Sequence, residues 1–298
     1  MRFAGELAAL GTAGCWAAGA NLFAAAGSRM GSVVLNRLRI TIAAVFLSVS
    51  LVAIRGSLWP TWATTGQIAL LAASGLIGFV FGDNNYFRSL VILGPGKAAL
   101  IASLAPIFTA LLGVPVLGET LGPVALVGMG LTLGGLLWVL GERDRLLKAH
   151  VEGSALAGIV AGALGALGQA GGYVISKLAL RGGLDPLSAT VVRVAAAVVA
   201  VWALALVGGG AARSLAALRD RDGALFIVGG AFFGPFLGVT LSLVALQHTE
   251  AGVAASITAI YPILTLTLSS RFHGERITAR VIGGTLLAFA GVVVLFFR

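Results

Sequence analysis

Long apolar runs follow one another along the chain, broken at short intervals by glycine, proline and charge. They fall at about 5–27, 33–54, 66–88, 96–116, 121–140, 154–178, 187–207, 223–246, 251–270 and 279–297. Several approach the roughly 20 residues with which an α-helix crosses a hydrocarbon core of about 30 Å. None shows the short alternating pattern of a membrane barrel strand. The pattern predicts ten transmembrane helices, and an all-α polytopic membrane protein as the fold class.

The pattern also repeats. The stretch from Gly96 to Leu121 recurs 156 positions later, from Gly252 to Ile277, with ten of 26 positions identical and no gap. Pro106/Pro262, Thr109/Thr265, Gly118/Gly274 and Glu119/Glu275 are among the matches, and the same shift carries Arg37 onto Arg193, Gly82 onto Gly238 and Gly128 onto Gly284. One five-helix unit is therefore used twice: residues 1–141 form the first repeat, 142–153 a polar linker and 154–298 the second repeat. Because five is odd, the second unit enters the bilayer in the opposite sense. Two inverted five-helix repeats about an axis in the membrane plane are expected, the plan of many secondary transporters.

Composition fits this picture. With 58% hydrophobic and 10% charged residues and a mean hydropathy of +1.02, the chain lacks the polar surface of a soluble protein. The net charge of +9 is scattered in ones and twos at the ends of apolar runs, which is how membrane loops look and not how a nucleic-acid-binding face looks. The expected partners are the lipid bilayer and a small-molecule substrate, with no nucleic acid, and a monomer is the expected state. Cys15 stands alone, so no disulfide forms within the chain. Arg2 precedes an apolar stretch of about 22 residues, too long for a signal-peptide core, and this reads as a retained first helix. There is no metal-binding cluster, His150, His248 and His273 sit in loops, and the GPGK at Gly94–Lys97 lacks the spacing of a phosphate loop. No metal or cofactor is expected, and an ATP-driven pump is disfavoured.

Polar groups inside apolar runs need a reason, since an ionised carboxylate at mid-membrane costs about 2.5–3.5 kcal/mol on insertion scales. Asp83 is the one deep acidic residue. With Asn84 and Tyr86 it reads either as the polar wall of a cavity, with Asp83 a candidate proton site, or as a wet helix end. On the sixth run Gln169, Tyr173 and Lys177 share a line, although Lys177 alone reads better as an anchor that snorkels to the headgroups. Trp16 and Asn21 on the first run occupy the places equivalent to Gly172 and Lys177. Ser256 and Tyr261 make the ninth run a third candidate wall, and Pro106 and Pro262 interrupt the fourth and ninth runs as hinge or kink positions. Arg37 and Arg193, repeated, read as structural groups holding helix-end carbonyls or a lipid phosphate. Glu119 and Glu275 read as caps of the helices that follow them. Gly158, Gly162, Gly165, Gly168 and Gly172 make a stripe on the sixth run, and Gly75, Gly78 and Gly82 a shorter one on the third, where another helix can approach closely.

Taken together, ten helices in two repeats, each with a proline in its fourth helix and a Gly-Glu turn after it, resemble the drug/metabolite transporter superfamily, specifically its EamA-type exporters. The resemblance implies a multi-pass secondary transporter of a bacterial inner membrane, not an enzyme. It implies a central cavity between the repeats, export of amino acids or similar metabolites by alternating access, and both termini in the cytoplasm. Counting basic residues at loops gives the opposite orientation, ten on the side away from the termini against five. An intramembrane enzyme is the rival reading, but an aspartyl mechanism needs two facing carboxylates and a serine mechanism needs an embedded base, and the sequence offers neither.

Overall fold

In the computed structural model, residues 3–93, 101–102, 104–146, 155–264 and 278–297 are described. Among them every regular element is a helix. We number the main ones α1 (Ala4–Met30), α2 (Ser32–Arg55), α3 (residues 65–93), α4 (Ala105–Leu117), α5 (Pro123–Leu146), α6 (Ala155–Leu180), α7 (Pro186–Val207), α8 (residues 221–248), α9 (Ala251–Thr258) and α10 (Ala279–Phe296), with a short helix, Ala211–Ala217, on the connection before α8. Seven of these are long and apolar enough to cross a membrane; the apolar parts of α4, α5 and α9 are shorter. The start of the fourth apolar run, most of the linker, the end of the ninth run, Gly274, Glu275, His150 and His273 lie outside the described residues, so the count of ten spans stays an expectation.

The sequence repeat reappears as repeated geometry. Thr64 caps the start of α3 by accepting the Gln67 N–H, and Asp220, its equivalent, caps α8 by accepting the Gly223 N–H. That contact, followed by Arg29, holds the Asp220 carboxyl below the usual carboxylate range. Both helices then widen into a π-helical segment at the same place, Leu76–Gly82 in α3 and Phe232–Gly238 in α8. Such segments take carbonyls off the regular ladder. The Asn36 side chain donates to the Phe79 carbonyl at 3.5 Å and the Thr12 hydroxyl to the Gly238 carbonyl at 3.4 Å.

The two repeated prolines differ from the expected kinks. The chain turns at Leu104 and again at Ala259–Ile260, and Pro106 and Pro262 each stand in the first turn of the helical stretch that follows. The missing proline N–H falls where a helix start has no acceptor for it. Gly118 ends α4 with φ 65°, a left-handed cap open to glycine, and thereby turns Glu119 away from α5.

Helices from the two repeats pack on each other. A side-chain carbon on Gly135 would lie 2.4 Å from the Gly284 carbonyl oxygen, and one on Gly291 would lie 2.6 Å from that of Gly128. The two contacts exchange under the 156-residue shift, and α5 and α10 run antiparallel. In the same way Arg55 at the end of α2 meets Asp185 at the start of α7 at 3.6 Å, while Arg37 near the start of α2 reaches the Val201 carbonyl late in α7 at 3.3 Å. The two glycine stripes pack against one another, joining α3 to α6 backbone to backbone. A side-chain carbon on Gly168 would sit 2.7 Å from Gly82 Cα, and the Ser74 hydroxyl donates to the Gly172 carbonyl at 2.7 Å. In the corresponding pair, α1 on α8, aromatics lie against glycines, Trp16 against Gly238 and Phe23 against Gly230, while Gly19 approaches the Gly234 backbone.

Outward-facing Val45, Val49, Ile54, Leu204 and Val207 leave an apolar exterior that suits lipid and would not suit water. Phe3 meets Phe296 and Phe297 at ring distances of 5.9 Å, so the first and last described residues lie at one end of the molecule.

Candidate functional site

Between α1, α3, α6 and α8, with the broken regions around Leu104 and Ile260 closing its flanks, lies a cavity of about 750 Å³. It touches the surface at the α1–α2 turn, where exposed Gly31 is part of its wall. At the other end it stops against Tyr173 and the edge-on pair of Trp16 and Tyr261, whose rings are 5.6 Å apart at 85°. Beyond that floor the interior is packed with Ala9, Ala13, Leu71, Leu243 and Ile257, all fully buried.

The walls are apolar and aromatic with few polar groups. Both π-helical segments contribute, through Phe79 and Gly82 on one side and Gly234 and Pro235 on the other. Asp83 follows directly on the first of them. It is no wet helix end, because α3 continues to residue 93, and it is ion-paired with Arg39. The Arg39 guanidinium is held in turn by the Asn36 side-chain oxygen at 2.9 Å and lies over the rings of Phe23 and Phe87. Tyr86 and Tyr261 come within hydrogen-bonding reach of each other across the cavity.

Arg193 completes the polar set. It is 2% exposed, its guanidinium lies 4.9 Å from the centre of the Phe79 ring, and its Nε and Nη1 have no hydrogen-bond partner among the described residues. The Tyr173 hydroxyl is also buried, with Ser242 and Gln169 as polar neighbours but no well-formed hydrogen bond among the described residues. Arg37, by contrast, holds the carbonyls of Val201 and Gly210 at the end of α7 and donates to the Ser214 hydroxyl, the structural duty expected of both arginines. The repeat shows one difference between the two sites. Where Arg37 finds Ser214, the same shift offers Arg193 only Leu58.

Of the residues singled out from sequence, Trp16, Asp83, Tyr86, Gln169, Tyr173, Tyr261 and Pro106 line the cavity. Five lie off it. The Asn21 side chain donates to the Ala17 carbonyl at 2.9 Å, Asn84 accepts from Asn36 at 3.3 Å, and the Ser256 hydroxyl donates to the Gly252 carbonyl at 2.8 Å. Pro262 is buried behind the wall. Lys177 neither snorkels nor faces the cavity: its ammonium is 2.6 Å from Glu119, one turn beyond the Tyr173 floor. Glu119 does not cap α5 as expected. Both its oxygens accept the Ala251 N–H, at 2.9 and 3.1 Å, and so cap α9 in the other repeat. Lys177 also donates to the Thr249 carbonyl within its own repeat, and Arg181 to the Leu117 carbonyl across repeats, so with Glu119 this closed end is tied by polar contacts of both kinds.

The sequence reading missed Arg39 and Arg193 as cavity residues. Arg193 carried a signal: it stands seven residues into α7, about 10 Å along the helix, farther than a headgroup anchor needs.

The profile of the EamA-like transporter family matches residues 3–141 and again 156–297. No curated protein matches the chain. One solved crystal structure superposes with a TM-score of 0.75 over 99% of this chain and 96% of its own at 18% identity, a likeness that shows a shared fold.

Proposed function

We propose that this chain, which belongs to the EamA-like transporter family and is a multi-pass membrane protein, exports amino acids or similar small metabolites across a bacterial inner membrane by alternating access. In this reading ten spans form two inverted five-helix repeats, with residues 142–153 joining them, and the halves rock about the central cavity. The observation that carries it is the cavity itself: about 750 Å³, reaching the surface at one end and stopped at the other by Trp16, Tyr173 and Tyr261. That volume lies within the range of small-molecule sites and suits a solute of amino-acid size. A passage open to one side only, between helices that contain π segments and breaks, is what an alternating carrier needs in one of its states.

Asp83, Tyr86, Gln169, Tyr173 and Tyr261 are assigned to solute contact, with Pro106 and Pro262 at the hinges of the broken helices. Flux of labelled amino acids in preloaded liposomes tests this. Alanine variants at the five contact positions are expected to lower flux at least tenfold in most cases. Unchanged transport across all five would remove the site assignment, and absence of flux for every metabolite offered would remove the function.

A further inference from the structure

The polar groups of the cavity do not balance in charge. Arg39 and Asp83 neutralise each other. Arg193 has no carboxylate within ion-pair distance among the described residues and two unpartnered nitrogens, while lying in the cavity wall. Beside it on α6, the Tyr173 hydroxyl is buried in the same wall with Ser242 and Gln169 as polar neighbours but no well-formed hydrogen bond among the described residues. A buried guanidinium and a buried phenol with idle donors are costly to keep unless something fills them. When the cavity holds only water, water fills them. A solute that displaces that water must replace its contacts and supply negative charge.

We infer that Arg193 and Tyr173 form an anion subsite, and that the solute carried here is a small organic carboxylate with an apolar body. This rests on the reading of the cavity as the transport site and names its substrate class. The planar guanidinium matches a carboxylate in a paired, two-bond geometry, and the phenol adds a third donor to the same group. Phe79 lies under the guanidinium at 4.9 Å and keeps its face fixed. The edge-on Trp16 and Tyr261 rings offer the apolar body a place to lie. Amino acids belong to this class through their carboxylate; amines without one do not. Because the Arg39–Asp83 pair is already closed, the cavity offers no free carboxylate among the described residues to hold a cation.

The test compares matched probes on the purified full chain: radiolabelled 3-phenylpropionate, L-phenylalanine and 2-phenylethylamine, by equilibrium binding in detergent and by flux in liposomes. The two carboxylates are expected to bind roughly ten- to a hundredfold more tightly than the amine, the range for charge-assisted hydrogen bonds. Arg193→Gln should abolish that preference, Arg193→Lys should retain part of it, and Tyr173→Phe should weaken the acids several-fold without changing the amine. Gel filtration and thermal unfolding of each variant check the fold, and an anion subsite further requires that 3-phenylpropionate raise the Tm of the wild type but not of Arg193→Gln. Equal binding of the amine, an acid preference that survives Arg193→Gln, or no binding of either acid would overturn the inference. Wild-type flux of 2-phenylethylamine equal to that of the two acids would sink this inference alone and leave the transporter reading standing.

Discussion

Asp83 and Arg39 show what a single buried charge demands of its neighbours. Their side chains are 20% and 12% exposed, and each offsets the other's charge in the wall, with Arg193 a more distant second cation to Asp83. Removing one partner leaves the other charge buried, which costs about 3–5 kcal/mol, whereas replacing both with apolar groups of similar size is often nearly neutral. Asp83→Asn and Arg39→Met are therefore each expected to lower stability by about 3 kcal/mol, and the double variant Asp83→Leu/Arg39→Met to recover most of it. Chemical denaturation in detergent measures both; a double variant as weak as either single one would show that the pair does not act as a unit. The sequence marked Asp83 as needing a partner, since it was the one acid deep in an apolar run. It did not say which partner, because Arg39 stands 44 residues away on another helix and only packing brings them together.

At the scale of elements, close approach of α3 and α6 is written in glycine. A side-chain carbon on Gly168 would meet Gly82 Cα at 2.7 Å, backbone that cannot swing aside, while one on Gly14 of α1 would meet nothing within 4 Å. Gly168→Ala is expected to destabilise by about 1–3 kcal/mol through overpacking. Gly14→Ala should stabilise by roughly 0.5–1 kcal/mol through helix propensity. Thermal unfolding of the two variants distinguishes a packed stripe from one that tolerates side chains. Both stripes were visible in the sequence from their spacing of three and four. The π-helical segments were not: they recur 156 residues apart, yet one contains Pro235 and the other has Phe79 in its place, so no residue type announces them. Each lies against a helix of the other repeat, α3 on α6 and α8 on α1, a contact that periodicity along one helix does not carry.

For the whole molecule, the end of the cavity that is shut is held by ties between repeats. Glu119 of the first repeat meets Lys177 and the Ala251 N–H of the second. The same shift places Asn21 at the position of Lys177, so the two ends of the molecule do not close with the same chemistry. Lys177→Met is expected to loosen the shut end. In a Cys15→Ser background, a cysteine at fully buried Ala9 should resist a water-soluble maleimide when Lys177 is present and react several-fold faster when it is replaced. Equal labelling in both would mean that apolar packing alone holds the closure.

The sequence by itself determined the membrane habit, the near-complete set of helices and the doubling of one unit, because apolar length and a gapless repeat are properties of the chain read in order. It also found much of the cavity lining, since polar groups stranded in apolar runs are conspicuous wherever they point. Tertiary structure alone decided which of them face the space. Lys177 looked like part of a line with Gln169 and Tyr173, but the neighbouring Glu119 drew it into the seal. Arg193 looked like a twin of Arg37, but Leu58 stands where Ser214 meets Arg37, and Arg193 lines the cavity instead. A repeat transmits residues faithfully; the partner that each residue meets comes from the other half, and the two halves are not the same.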